Sequence, residues 1–242
     1  SGKTVIRLDQ ADLEAYRGLS VADVLNRQTG LEISGSRGRP GEVLGVFARG
    51  GRGRQVLVLI DGVRVTDPSS VSQEYDLRLL QAGEIASIEI LKGASSTLYG
   101  TNAATAVIRI TTKKAAERPL EIVAQQQAGT LGSAEDSFPN WGQFGTDLRL
   151  SGTSGEWSYK AGFGYRLQNG LSSLETEGNE KDRYRNTVIS AGLAWRPSEN
   201  WQLDLTANQT YMRSAYDDSG TRTDAGFDFL TDQERIAISA VH

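Results

Sequence analysis

The chain has 242 residues and a formal net charge of −4, a length that suits one large domain or two modest ones and a balance that argues against nucleic acid as a general partner. Cysteine is absent and the single histidine is the last residue. That excludes disulfides and thiolate metal sites, and leaves no origin for a Ser/His/Asp triad or a His-based metal site.

No stretch approaches the roughly 18 consecutive apolar residues of a membrane helix. A membrane β-strand needs only ~9–11 residues with one apolar face, so a barrel stays open. The sequence begins on Ser1-Gly2-Lys3-Thr4 with no leader in view, as expected of a mature or trimmed chain.

Lys3 to Leu8 alternates as a short strand, and Asp9 to Arg17 reads as a short helix. Ser20 is placed as the N-cap of a second helix, with Val21, Val24 and Leu25 at helical spacing up to Gln28. Gly30 is expected to close it, and Leu31 to Ser34 is extended. Ser34 to Glu42 is glycine-rich and reads as an exposed loop. Val43 to Arg49 precedes Gly50-Gly51-Arg52-Gly53-Arg54. That is a single arginine–glycine copy inside a folded pattern, which argues against an RNA-binding segment. It also lacks the Lys-Ser/Thr of a P-loop, and a strand rather than a helix follows it.

Val56 to Ile60 has no polar residue and is rich in β-branched side chains, the pattern of a strand buried on both faces. Asp61-Gly62 supplies a tight turn, and Val63-Arg64-Val65 resumes the strand. Thr66 to Asp76 is a second loop, with Asp67-Pro68 as turn initiator, and Leu77 to Ala82 is a short helix or turn. Ile85 to Gly93, Ser96 to Gly100 and Val107 to Thr112 form a second such unit. Lys113 to Pro119 is a charged connector, and the domain boundary is placed there: residues 1–114, then 115–242.

Beyond Leu120 the period is two over long stretches. Trp157, Tyr159, Ala161, Phe163, Tyr165 and Leu167 share one face, opposite Ser158, Lys160, Gly162, Gly164, Arg166 and Gln168. Thr187, Ile189, Ala191, Leu193 and Trp195 repeat the pattern. So do Trp201, Leu203, Leu205, Ala207 and Tyr211, and Phe144, Thr146, Leu148 and Leu150. Strands of this length with aromatic ends suit lipid outside and water inside better than a soluble sandwich. Six strands are expected, near 120–129, 142–153, 156–168, 183–196, 201–213 and 227–242. Gly152 to Glu156 and Arg196 to Asn200 are short connections, while Asn169 to Asp182 and Ala215 to Gly226 are long and polar. Alternating short and long connections are a barrel pattern.

Ala48-Arg49-Gly50, LIDGVRV over 59–65, IEILKG over 88–93, LYG over 98–100 and VIRITT over 107–112, in this order, resemble the plug domain of TonB-dependent outer-membrane transporters. The resemblance implies an α+β plug domain, a small mixed sheet with short helices, over 1–114. Part of an antiparallel transmembrane β-barrel follows over 115–242. Three positions depart from the family pattern: Ala94 stands where Pro is usual, Lys92 where Arg is usual, and Thr105-Ala106 where Gly-Gly is usual. Barrels of this class have about 22 strands around a plugged lumen. Six strands alone would leave two unpaired edges in the bilayer. The sequence is therefore expected to be a piece of a chain of roughly 600 residues, or of a barrel completed by another polypeptide. The TonB-binding segment that precedes the first plug strand in the family is not seen before Lys3.

The resemblance further implies an outer-membrane receptor of a Gram-negative bacterium and not an enzyme. It would bind and import a scarce nutrient of the ferric siderophore, haem or cobalamin class. Its partners would be the energy-transducing protein TonB, outer-membrane lipid, the nutrient ligand, and other outer-membrane or surface proteins. The alternative is a plug-containing structural or assembly subunit of a multi-chain complex, without import. The ligand site would lie in the plug's outer loops. Arg37 and Arg39 are candidates to pair with an anionic ligand, against the alternative of solvated loop arginines. Tyr75 would stack on a flat ligand or pack the loop, and Ser69 and Gln73 would donate hydrogen bonds. Arg49, Glu89 and Lys92 are charged residues at strand ends, where the family places a plug–barrel ion-pair cluster, against the alternative that Glu89 is a solvent-facing strand residue. Gly50 and Arg64 belong to the plug motifs. Asp61 and Gly62 make one turn, and Gly93, Tyr99 and Gly100 fix the turn before the last plug strand. No cofactor is expected beyond loop Ca²⁺. Its oxygen ligands would come from Glu175, Glu177, Glu180 and Asp182, or from Asp217, Asp218 and Asp224. The commoner alternative is a solvated acidic loop.

Overall fold

The structure is a computed structural model that describes residues 4–16, 20–34, 44–48, 55–69, 73–93, 105–130, 141–169, 182–218 and 223–242. Two compact units part between Lys114 and Ala115.

In the first unit, β1 (Thr4–Leu8) leads into α1 (Gln10–Ala15) and α2 (Val21–Asn26). Each helix begins on a reciprocal capping box, Asp9 with Asp12 and Ser20 with Asp23, which satisfies orphan N–H groups at both starts. α2 stops at Asn26, not Gln28. The Asn26 side chain accepts from the Ile33 N–H at 2.8 Å, and the Gln28 amide donates to the Val24 carbonyl at 2.9 Å. Arg27, in a right-handed conformation, is the C-cap; Gly30, at φ +75°, turns the chain into β2 (Leu31–Ser34) and does not itself end the helix. β2 pairs with β3 (Gly45–Ala48) in a separate ladder.

The main sheet has the order β1-β6-β7-β4-β5, where β4 is Val56–Ile60, β5 Val63–Val65, β6 Ile85–Lys92 and β7 Ala106–Thr112. Only β4 with β7 is parallel, so the sheet is mixed. One face carries Ile88, Ile90, Ile108, Ile110, Val58 and Ile60, and packs with Val21, Val24 and Leu25 of α2 into one core. Each such side chain is worth ~1.5–3 kcal/mol when fully buried. Leu57, Leu59 and Val107 form a second buried cluster on the opposite face. β4 is thus buried on both sides, as its uninterrupted apolar run predicts.

The second unit is one antiparallel sheet of six strands in sequence order. They are β8 (Glu121–Thr130), β9 (Trp141–Ser154), β10 (Trp157–Asn169), β11 (Arg183–Ser198), β12 (Trp201–Asp218) and β13 (Thr223–Val241). Three expected connections are shorter than the sequence suggests. β9 continues through Ser154, because its ladder with β10 pairs Ser154 with Trp157, leaving Gly155-Glu156 as the turn and not Gly152 to Glu156. β11 continues through Ser198 past an irregularity after Trp195, leaving Glu199-Asn200 as the turn. β12 and β13 extend the hairpin to Asp218 and Thr223, with the Tyr216 and Phe227 rings 5.6 Å apart, so most of 215–226 is strand and not loop. Most of the other long connection, 170–181, lies outside the described residues.

Burial in this sheet is inverted relative to a water-soluble fold. Ile236 and Ile238 are 73% and 77% exposed, whereas Ser151, Asn186 and Ser214 on the other face are at most 2% exposed. Exposed apolar and buried polar faces suit a wall with hydrocarbon on one side. From Trp157 to Leu167 the apolar stripe rises ~34 Å at ~3.4 Å per residue. At a ~40° tilt that spans ~26 Å, close to the ~25 Å apolar band of an outer-membrane barrel. Stacked Trp157 and Trp195, 5.7 Å apart, mark the turn end of the band, the place of an aromatic girdle.

Candidate functional site

In the first unit the second loop is anchored at both described ends. Asp67 Oδ1 accepts from the Ser69 N–H at 2.9 Å and from its hydroxyl at 2.6 Å, a local Asx turn. The Ser69 hydroxyl therefore donates within the loop. At the far end Asp76 caps the one-turn 3-10 helix 77–79, accepting from the Arg78 N–H at 2.9 Å and from its guanidinium at 2.5–2.9 Å. This pair is largely buried, at 6% and 13% side-chain exposure. Tyr75 is half-buried against the main core. Gln73 is exposed and holds φ +53°, a left-handed conformation uncommon for a residue other than glycine. Arg37, Arg39, Arg49, Gly50, Tyr99 and Gly100 lie outside the described residues.

The face of the main sheet away from the core carries a charged row. The register aligns Arg7, Glu89, Arg109, Leu59 and Arg64 across all five strands. Glu89 sits mid-strand and not at a strand end. Its two oxygens meet Arg7 at 3.0 Å and Arg109 at 2.9 Å. Arg64 is exposed at the end of the row. Lys92 does end β6, but it is 5% exposed and donates its ammonium to the Thr29 carbonyl, lying over Gly30. Gly93, at φ +107°, donates its N–H to the Thr105 carbonyl at 2.8 Å. Thr105 in turn gives its N–H and its hydroxyl to the Gln55 carbonyl, each at 3.1 Å. Thr105-Ala106 thus starts β7 against the start of β4 without the usual glycine pair.

In the second unit the polar face carries paired charges. Arg166 meets Asp147 at 2.6 Å, and Glu121 accepts from Arg149 at 3.1 Å and Arg118 at 2.5 Å. Ions so paired can line a water-filled interior. Among the described residues no three His, Cys, Asp or Glu groups gather as a metal site. Glu175, Glu177 and Glu180 lie outside those residues. The sequence marks Asp67 as a turn initiator, which its Asx turn with Ser69 bears out, but it shows neither the Asp76–Arg78 pair nor the partners of Glu89. The signal for the last was strand parity: Glu89 and Arg109 both stand one residue off the isoleucines that face the core.

Residues 1–107 match the family model described as the TonB-dependent receptor plug domain. The chain is 30% identical over 226 residues to the vitamin B12 transporter BtuB of Vibrio vulnificus strain CMCP6, covering 86% of this chain and 36% of that protein. It is also 30% identical over 221 residues to BtuB of Photobacterium profundum, covering 86% and 32%. It therefore spans about a third of the length of these relatives. Among solved structures, the siderophore receptor PirA of Acinetobacter baumannii superposes with a TM-score of 0.75 at 21% identity, over 98% of this chain and 37% of that one. The ferric enterobactin receptor PfeA of Pseudomonas aeruginosa gives 0.75 at 18%, over 98% and 38%. These structures share the fold of both units, and the relatives are transporters and receptors, not enzymes. The chain belongs to the TonB-dependent receptors of the Gram-negative outer membrane, with a plug domain followed by antiparallel strands of the barrel.

Proposed function

We propose that the full protein binds a large, scarce nutrient at the cell surface and imports it across the outer membrane, driven through TonB. The observation that carries this reading is that similarity to a vitamin B12 transporter runs over 86% of the chain, beyond the plug and into the barrel strands. A cobalamin is the first ligand to test and a ferric siderophore or haem the next. Arg37 and Arg39, with Ser69, Gln73 and Tyr75, are the plug residues assigned to the ligand. Arginine forks pair with carboxylates and other anions in a planar geometry. Ser69 also holds the loop through Asp67, and Tyr75 packs on the core, so these two would shape the loop as well as meet the ligand.

The test is equilibrium binding of cyanocobalamin, ferric enterobactin and haem to the purified full-length protein, followed by uptake in cells with and without TonB. Saturable binding of one ligand, and uptake that needs TonB, is the expected result. A protein that takes up none of the three would remove the importer reading in this ligand class.

A further inference from the structure

The outward, apolar face of the barrel sheet ends in arginines at one level. The register aligns Leu167, Arg185, Arg213 and Leu230 in one row across β10 to β13. Arg183 stands on the same face of β11. The row below holds Tyr165, Thr187 and Tyr211. Tyrosine marks the interface between hydrocarbon and headgroups, so the arginine row sits at headgroup level. The two-residue turns Gly155-Glu156 and Glu199-Asn200 lie at the opposite end. Short turns face the periplasm, which puts the arginines in the outer leaflet.

Arg185 and Arg213 stand directly opposite each other, an arrangement that costs stability unless an anion intervenes. Arg213 has one: Asp228 takes its guanidinium at 2.8 and 2.5 Å. Arg183 gives its Nε to Asn169 at 3.1 Å. Arg185 Nε is shielded from water and meets no acceptor among the described residues. On its own face Arg185 is bordered by Leu167, Tyr165, Asn169, Thr187, Arg183, Arg213, Tyr211 and Ala215, none of them acidic. Among the described side chains, the acidic residues on this part of the face, Asp228, Asp232 and Glu234, all lie on β13. An arginine cannot escape by losing its proton.

We propose that Arg185 and Arg213, with Arg183 beside them, bind the phosphate of a phosphorylated lipid headgroup in the outer leaflet. Guanidinium groups grip phosphate bidentately, and basic clusters beside the hydrocarbon select anionic lipid. The inference rests on the outer-membrane family alone and is independent of the imported ligand.

The experiment is native mass spectrometry of the full-length protein titrated with bisphosphorylated lipid A, with its dephosphorylated form and with inorganic phosphate as competitor. R185Q/R213Q should weaken retention of the phosphorylated lipid by at least about tenfold. R185K/R213K, which keeps the charge and loses the fork, should fall between. Equal retention by wild type and R185Q/R213Q overturns the proposal. Equal retention of the dephosphorylated lipid, or displacement by inorganic phosphate at equal concentration, does so too. Heat-modifiable electrophoretic mobility reports barrel assembly. If the double variant does not assemble, R185Q alone, which leaves the Arg213–Asp228 pair in place, is held to the same direction of change.

Discussion

Asp61 grips Thr112 with both carboxylate oxygens, Oδ1 accepting the backbone N–H at 2.8 Å and Oδ2 the hydroxyl at 2.7 Å. The Asp61 N–H meanwhile donates to the Ile110 carbonyl at 2.9 Å. Asp61 also holds φ +49°, ahead of Gly62 at φ +82°, the left-handed pair that a tight hairpin turn demands. One side chain thus closes the β4–β5 hairpin and fastens it to the end of β7. Asp61→Ala removes two hydrogen bonds and places a poor residue in the left-handed region. It should cost ~1–3 kcal/mol. Asp61→Asn keeps the turn preference and one acceptor, so it should cost less. Hydrogen exchange of the Thr112 amide in the full-length protein measures both. Unchanged protection in Asp61→Ala would show that the clamp contributes nothing.

That clamp marks the boundary of what the sequence discloses. LIDG announces a turn because Asp and Gly are local signals. Its second partner, Thr112, depends on β4 lying parallel to β7, and no local pattern fixes that pairing. The Glu89 row is similar: parity puts Glu89, Arg109 and Arg7 off the core face, but the strand order β1-β6-β7 decides that they meet. The barrel strands were legible because alternation alone assigns lipid and water sides. Their ends were not, since Tyr216, Asp217 and Asp218 look like loop. A hairpin ladder outside the hydrocarbon continues through polar residues, as its hydrogen bonds come from the backbone. The loop proposed for the ligand is the least legible in the sequence, because Arg37 and Arg39 sit among glycines with no periodicity.

Glu89 links Arg7 and Arg109, whose side chains are 71% and 48% exposed. Ion pairs this open are worth ~0.2–1 kcal/mol each and weaken with salt. Glu89→Gln should therefore cost no more than about 1–2 kcal/mol at low salt, with most of the loss gone near 1 M salt. A double-mutant cycle with Arg109→Gln, read by hydrogen exchange of β6, checks it. A coupling above about 3 kcal/mol would mean that this row is shielded from water in the whole protein.

Lys92 delivers its ammonium to the Thr29 carbonyl while its stem covers Gly30. Most of the buried surface is stem, so packing outweighs charge. Lys92→Met keeps the volume, relieves the buried charge and leaves one carbonyl unmet; these offset to within ~1.5 kcal/mol. Lys92→Ala loses the stem as well and should cost ~2–4 kcal/mol. Exchange protection of the Leu31 amide, which donates to the Gln28 carbonyl at 3.1 Å, reports the loss. Equal effects of the two variants would assign the stabilisation to the ammonium instead.

Leu205 and Thr206 are adjacent in β12 and face opposite ways. Leu205 stands in register with Leu193 and Ile238 on the exposed apolar face, midway between Trp201 and Tyr211. Thr206 stands in register with Gly192 and Ala237 on the polar face, one step along that face from Asp204. A lysine at 205 would bring its charge into hydrocarbon near the midplane, at roughly 2–4 kcal/mol. A lysine at 206 would enter a polar surface with a carboxylate beside it, and the change should stay within about 1 kcal/mol. Reversible guanidinium unfolding of the full-length protein from lipid vesicles measures the difference. The order of the two effects is the decisive readout. If Thr206→Lys is the more damaging, the apolar face does not meet lipid and the sheet is not a membrane wall.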